Sequence, residues 1–196
     1  MHGKRTGKWV YTGADKPSSG ISKSGKVEEG IYVDGRKEGI WTKYHKDGKT
    51  PKLKGNYSDN RPEGSFTRFY PNGRIMEQGS FGKNGYKGNL VRYFENGIPS
   101  YKAVYNNDGQ ETGKVQYFHE NGKIGVEYNY LNGRTDGYFK RYYKNGVLSN
   151  EGWLKEGNEQ GTWYAYYPNG KLKEISYYLN GATTGIIENY GVTGKL

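Results

Sequence analysis

Glycines recur through this chain at a spacing that leaves few folds open. One set falls at Gly25, Gly48, Gly73, Gly97, Gly122, Gly146, Gly170 and Gly194, at intervals of 23 to 25 residues. A second set is Gly7, Gly39, Gly64, Gly88, Gly113, Gly137, Gly161 and Gly185, and from Gly39 onward each precedes a glycine of the first set by nine residues. Two residues after each of the second set stands a large apolar side chain: Trp9, Trp41, Phe66, Leu90, Val115, Phe139, Trp163 and Ile187. Five residues after, from the second copy on, stands an aromatic: Tyr44, Phe69, Tyr93, Phe118, Tyr142, Tyr166 and Tyr190. A fixed period of this length marks a tandem array, in which each copy is one supersecondary unit packing on its neighbours.

The clearest copy runs from Lys144 to Tyr167. Its Asn145-Gly146 and Glu156-Gly157-Asn158 turns separate short aromatic-rich runs, which is the signature of a β-hairpin. The expected fold is therefore all-β: an elongated, single-layer antiparallel sheet of tandem hairpin repeats with a period of about 24 residues, curved or twisted as native sheets are. Short connections imply that strands pair in sequence order. About sixteen strands at 4.8 Å spacing would extend on the order of 75 Å. Residues 1–196 read as a single array: a half repeat at 1–12, an inserted loop at 13–24, seven hairpin repeats over 25–190, and the start of another at 191–196. In the irregular second repeat, Asn60 replaces a turn glycine, and Pro51 and Pro62 belong in turns or bulges.

Composition agrees with a thin sheet. Only 32 of the 196 residues are Ile, Leu, Val or Phe, too few to fill a two-layer domain, whereas 21 Tyr and 4 Trp recur at fixed places. Tyr and Trp bury large areas while keeping a polar handle, which suits a sheet that stays partly wet. On alternating strand geometry, positions two, four and six after each second-set glycine share one face, and the aromatic at position five takes the other unless a bulge intervenes. Small residues on the first strands (Gly79, Ala103, Gly152, Ser176) leave room for a neighbouring ring.

The repeat pattern NGK-[LI]…EG-x-Y…NG-x-x-x-G-x-W-x-x-Y resembles the MORN-repeat variant of bacterial YwqK-like proteins. Residues 144–167 and 168–190 match best, and the likeness covers roughly 25–196. That resemblance implies an all-β hairpin array. Members are often labelled antitoxins of toxin–antitoxin pairs, and eukaryotic relatives are linked to membrane attachment and scaffolding. Fold alone does not give function.

Catalytic and metal chemistry find no support. With no cysteine there is neither a disulfide nor a thiolate metal site. His2, His45 and His119 lie in different repeats, and the latter two fall at position six, where Tyr70, Phe94, Tyr143 and Tyr167 stand elsewhere. A ring replacing a ring accounts for them. The segment from Gly20 to Val27 misses a phosphate loop because Val27 stands where Ser or Thr must hold magnesium. The stretch from Asn106 to Glu111 lacks calcium-loop spacing and coincides with a repeat turn. Glu77, Glu151 and Glu174 recur on first strands without a paired carboxylate across a cleft. No catalytic residue, metal site or cofactor is expected, and the chain reads as a non-enzyme.

What remains is a basic–aromatic stripe. Lys43, Arg68, Arg92 and Arg141 occupy position four, with Tyr70, Phe94 and Tyr143 beside them at position six. Arg set among rings binds carboxylates, phosphates or planar groups, although Arg stems also cover ring surface. A net charge of +10 favours an acidic partner. The leading reading is a non-catalytic protein-binding or scaffold protein, antitoxin-like as a special case. The alternatives are attachment to anionic phospholipid or nucleic acid, or carbohydrate binding as an envelope component that holds polysaccharide. No transmembrane segment and no signal peptide are visible, so cytoplasm and cell envelope both remain open.

Overall fold

The computed structural model describes residues 3–131 and 133–195. Met1, His2, Asn132 and Leu196 lie outside them, and with them the reading of His2 and the outer ends of the 1–12 and 191–196 segments. Among the described residues, sixteen strands and one 3-10 turn at Pro17–Ser19 make up the regular structure, and there is no α-helix. Two compact bodies divide the chain: residues 3–97 with 107–109, and 98–106 with 110–195.

In the N-terminal body the strands are β1 (Gly7–Thr12), β2 (Lys26–Val33), β3 (Arg36–Tyr44), β4 (Pro51–Ser58), β5 (Arg61–Phe69), β6 (Ile75–Gly82), β7 (Gly85–Tyr86) and β8 (Gly88–Tyr93). Each pairs antiparallel with the next, except that β8 returns to β6 and the short β7 pairs with β6 as well. The C-terminal body runs β9 (Pro99–Tyr105), β10 (Glu111–Phe118), β11 (Ile124–Leu131), β12 (Arg134–Tyr142), β13 (Leu148–Lys155), β14 (Asn158–Tyr166), β15 (Leu172–Leu179) and β16 (Ala182–Asn189), paired strictly in order. The expected all-β hairpin array is what the chain forms.

The turns explain the sequence signals. Asp34-Gly35 and Asp59-Asn60 both carry positive φ at the two central positions, the primed turn that matches strand twist. Asn60, at φ +69°, adopts the left-handed conformation that its replacement of glycine required. In the Asn-Gly-Lys turns, the Asn121 and Asn169 side-chain carbonyls accept from the backbone N–H of Lys123 and Lys171. Their amides donate to the Lys144 and Val192 carbonyls one repeat on. Each such turn is thus tied both to itself and to its successor.

Most repeats also carry two irregularities of register. The glycine of the second set, for example Gly161 at φ +69°, opens a break between first and second strands. A second break leaves one residue of the following strand unpaired: Lys52 between Lys43↔Leu53 and Tyr44↔Pro51, and Met76 between Arg68↔Glu77 and Phe69↔Ile75. Such bulges re-aim side chains.

In each body burial concentrates on one face. Trp41, Phe66 and Leu90 in the N-terminal body, and Tyr101, Ala103 and Val115 in the C-terminal body, are its most buried apolar residues. Trp41 lies flat over Gly30, where an added Cβ would sit 2.2 Å from the indole; Trp163 lies over Gly152 at the same 2.2 Å. The small residues expected beside the rings therefore provide their seats. The Trp41 indole N–H donates to the Ile31 carbonyl at 3.0 Å, which satisfies its polar edge.

Candidate functional site

Position-six rings join successive repeats. The Tyr70 hydroxyl donates to the Tyr93 carbonyl and Tyr143 to that of Tyr166, each at 2.7 Å. Tyr167 does the same to Tyr190 at 2.9 Å. His45 and His119 take this role through Nε2, 2.9 Å from the Phe69 carbonyl and 3.0 Å from that of Tyr142. A carbonyl can only accept, so each Nε2 carries a proton. Ring replaces ring, as the sequence suggests, and the hydrogen bond is retained. Phe94, half-buried after β8, is the ring at this position without a polar tip.

Position four supplies the cations, and the structure divides them. Arg68 on β5 and Arg92 on β8 flank Glu77 of β6: Arg68 Nη1 lies 3.2 Å from one carboxylate oxygen and Arg92 Nε 2.8 Å from the other. Glu77 is only 4% exposed, so two guanidinium groups compensate one buried carboxylate. Tyr86 of β7 donates to the same group at 3.1 Å. Arg68 also lies 5.5 Å from the Phe66 ring centre, and Arg141 lies 5.8 Å from that of Phe139. These are the ring-covering contacts expected of a stripe in which Arg stems shield aromatic surface. Lys43 on β3 is exposed and makes no ion pair among the described residues.

Three sequence-predicted residues come together. Lys43, Arg68 and Tyr70 line a cleft of about 430 Å³ with His45, Lys52, Leu53, Phe69, Pro71 and Met76. Its apolar lining comes from Leu53, Met76 and the rings; its charge comes from Lys43, Lys52 and Arg68, and no carboxylate lines it. Both bulge residues, Lys52 and Met76, reach it. Arg92 and Phe94 lie in the same body but do not line this cleft, whereas Arg141 and Tyr143 belong to the C-terminal body. There the corresponding bulge residue is Ser149, buried with its hydroxyl on the Arg141 carbonyl at 3.1 Å. A short polar side chain turned onto the backbone supplies no cation of its own.

The other motifs resolve into local structure. Lys26, the lysine of the near-miss phosphate loop, is 3.1 Å from Glu29. At the 106–111 turn, the Asn106 side chain accepts from the Gln110 N–H at 3.0 Å, and Glu111 accepts the hydroxyls of Tyr101 and Tyr105. Among the described residues no group of three or more His, Asp or Glu side chains converges as a metal site would require. Among the described residues no helix is long and apolar enough to cross a membrane.

Four stretches of the chain match the MORN repeat variant, residues 62–83, 111–132, 135–152 and 159–180. They fall on hairpins of both bodies, and in those stretches the chain is similar to the MORN repeat variant. Among curated proteins none matches the chain significantly. MORN repeats are a non-enzymatic repeat type, generally associated with protein or membrane binding.

Proposed function

We propose that this chain of MORN-type repeats is a non-catalytic binding protein that takes an acidic segment of a protein partner in the Lys43–Lys52–Arg68 cleft. The observation that carries this reading is the composition of the cleft: three cations over Leu53 and Met76, with no lining carboxylate. A segment offering Asp or Glu beside an apolar side chain would meet both halves of it. Arg68 keeps one nitrogen on Glu77, which fixes the guanidinium plane and limits the ordering needed on binding. An antitoxin-like role would be one instance of such capture. Phospholipid headgroups also carry anions, but the apolar half of the cleft has nothing to meet in a headgroup.

A displayed random-peptide library panned on the intact protein tests this. Acidic sequences with an apolar residue should be enriched, and Lys43→Ala with Arg68→Ala should abolish their capture while the melting temperature holds, because Arg92 still pairs Glu77. Enrichment without acidic character, or undiminished capture by the double variant, would overturn it.

A further inference from the structure

The C-terminal body carries a second surface that the cation cleft does not explain. On the face opposite Trp163, Tyr138 of β12 pairs directly with Trp153 of β13, and Glu151 pairs with Tyr164 of β14. Trp153 is 42% exposed, Tyr138 61% and Tyr164 37%. Tyr138 meets Trp153 edge to face at 4.8 Å and 73°, a geometry that holds both rings in place. The result is a cleft of about 480 Å³ lined by the three rings with Glu151, Gln160 and Thr162. Tyr138 also lines an adjoining cleft of about 290 Å³ with Lys114, Glu127, Asn129 and Lys140.

We propose that Tyr138, Trp153 and Tyr164 form a platform for a neutral, linear oligosaccharide. Charge chooses the ligand class. The Glu151 carboxylate accepts from the Tyr166 hydroxyl at 2.9 Å and lies 3.5 Å from Lys140. Glu127 is likewise held by Lys114 at 3.1 Å and by Tyr142. Both clefts are therefore internally neutralised, and an ionic ligand finds no unspent counter-charge. The remaining groups are neutral donors and acceptors: the Trp153 indole N–H, the Tyr138 and Tyr164 hydroxyls and the Thr162 hydroxyl make no protein hydrogen bond among the described residues. Gln160 uses its carbonyl on the Asn180 N–H, which leaves its amide N–H groups directed elsewhere. Exposed ring faces beside neutral hydrogen-bonding groups suit a ligand with apolar C–H faces and hydroxyl edges, which is a sugar ring. Two clefts sharing Tyr138 suit a chain of such rings. Their volumes lie within or near the range of about 300–1,000 Å³ in which small-ligand sites fall.

The test is calorimetric titration of the intact protein with cellohexaose, chitohexaose, mannohexaose and xylohexaose, with Trp fluorescence read in parallel. The expected result is binding of at least one, unchanged between about 0.15 M and 1 M salt, and weakened about tenfold or more by Tyr138→Ala and by Trp153→Ala. Tyr138 is the more exposed ring, so Tyr138→Ala decides the matter if Trp153→Ala does not fold. Lys43→Ala with Arg68→Ala, in the other body, should leave sugar binding unchanged, which separates this site from the cation cleft. No binding across the four sugars, binding that Tyr138→Ala leaves intact, or capture of a proline-rich peptide in place of sugar would each overturn the proposal.

Discussion

The Lys102 ammonium lies 5.3 Å from the centre of the Phe118 ring, in the place where Tyr142 sets its hydroxyl 3.1 Å from Glu127 one repeat later. The same exchange holds elsewhere. Tyr166 meets Glu151 and Tyr93 meets Gln78, whereas Lys54 lies 5.9 Å over Phe69. Where position five is Tyr44, Tyr93, Tyr142 or Tyr166, the first strand supplies an acceptor, whereas Tyr190 turns to Glu188 of β16; at Phe69 and Phe118 a cation covers the bare ring. Ring and partner are chosen together.

This pairing predicts a swap. Lys102→Glu alone should lower stability by about 0.5–1 kcal/mol, because it removes the cation from the Phe118 face. Adding Phe118→Tyr should recover most of the loss, by giving the new carboxylate a donor. A double-mutant cycle in urea measures the coupling; strictly additive losses would show that the two positions are independent.

Gly30 sits beneath Trp41, which is only 1% exposed and cannot swing away. Gly30→Ala should therefore cost about 2–3 kcal/mol through overpacking. Ala103, at the corresponding place in the C-terminal body, stands near the smaller Val115, and Ala103→Gly should cost far less. Thermal melts of the two variants compare the seats directly.

His119 keeps the hydrogen bond that tyrosines make at the same position. His119→Tyr should leave stability nearly unchanged, and His119→Phe should lower it by about 1 kcal/mol, since the Tyr142 carbonyl loses its donor. Equal losses in both variants would mean that ring shape, not the polar tip, joins the repeats.

The tyrosines and carboxylates set the pH limits. Burial, and then the hydrogen bond to Glu127, pushes the Tyr142 hydroxyl from 10.0 up to about 12; burial and Glu151 push Tyr166 to about 12 as well. A raised phenol keeps its full contribution below the unfolded value and loses it as pH rises through the folded one. Alkaline unfolding is therefore expected between about pH 10 and 12, with a class of phenols that ionises only as the sheet opens, read by ultraviolet absorbance. Burial raises the Glu28 carboxyl, but hydrogen bonds from Lys16 and Lys37 outweigh it and hold the group below its ordinary 4.5. That contribution is present above the unfolded value and fades as pH falls through the folded one. Lys37→Met should accordingly move the acid midpoint to higher pH in a circular-dichroism titration.

Much of this fold was legible because its signals repeat. The ring at Trp163 and the gap at Gly152 recur often enough to be read as a pair, and Asn60 shows its turn through chemistry alone. The cleft was legible only in part. Lys43, Arg68 and Tyr70 follow from strand alternation, but Lys52 and Met76 enter it through bulges, and a bulge depends on pairing between strands rather than on either strand's own pattern. The commitment of Arg68 and Arg92 to Glu77 was hidden for the same reason, since it needs the register of three strands at once. Tyr138 and Trp153 stand at positions whose residue changes from repeat to repeat, as Ile40, Ser65, Asn89 and Lys114 show for Tyr138, so periodicity gave no signal for the pair.

Capture from a lysate of the source organism, at about 0.15 M and 1 M salt, tests the central claim most directly when the intact protein is compared with the Lys43→Ala, Arg68→Ala variant. The account predicts a stoichiometric protein partner, retained by the intact chain, released by the double variant and carrying an acidic segment that competes for the cleft. Retention of the same partner by both proteins, or recovery of only lipid or nucleic acid that vanishes with salt, would contradict it.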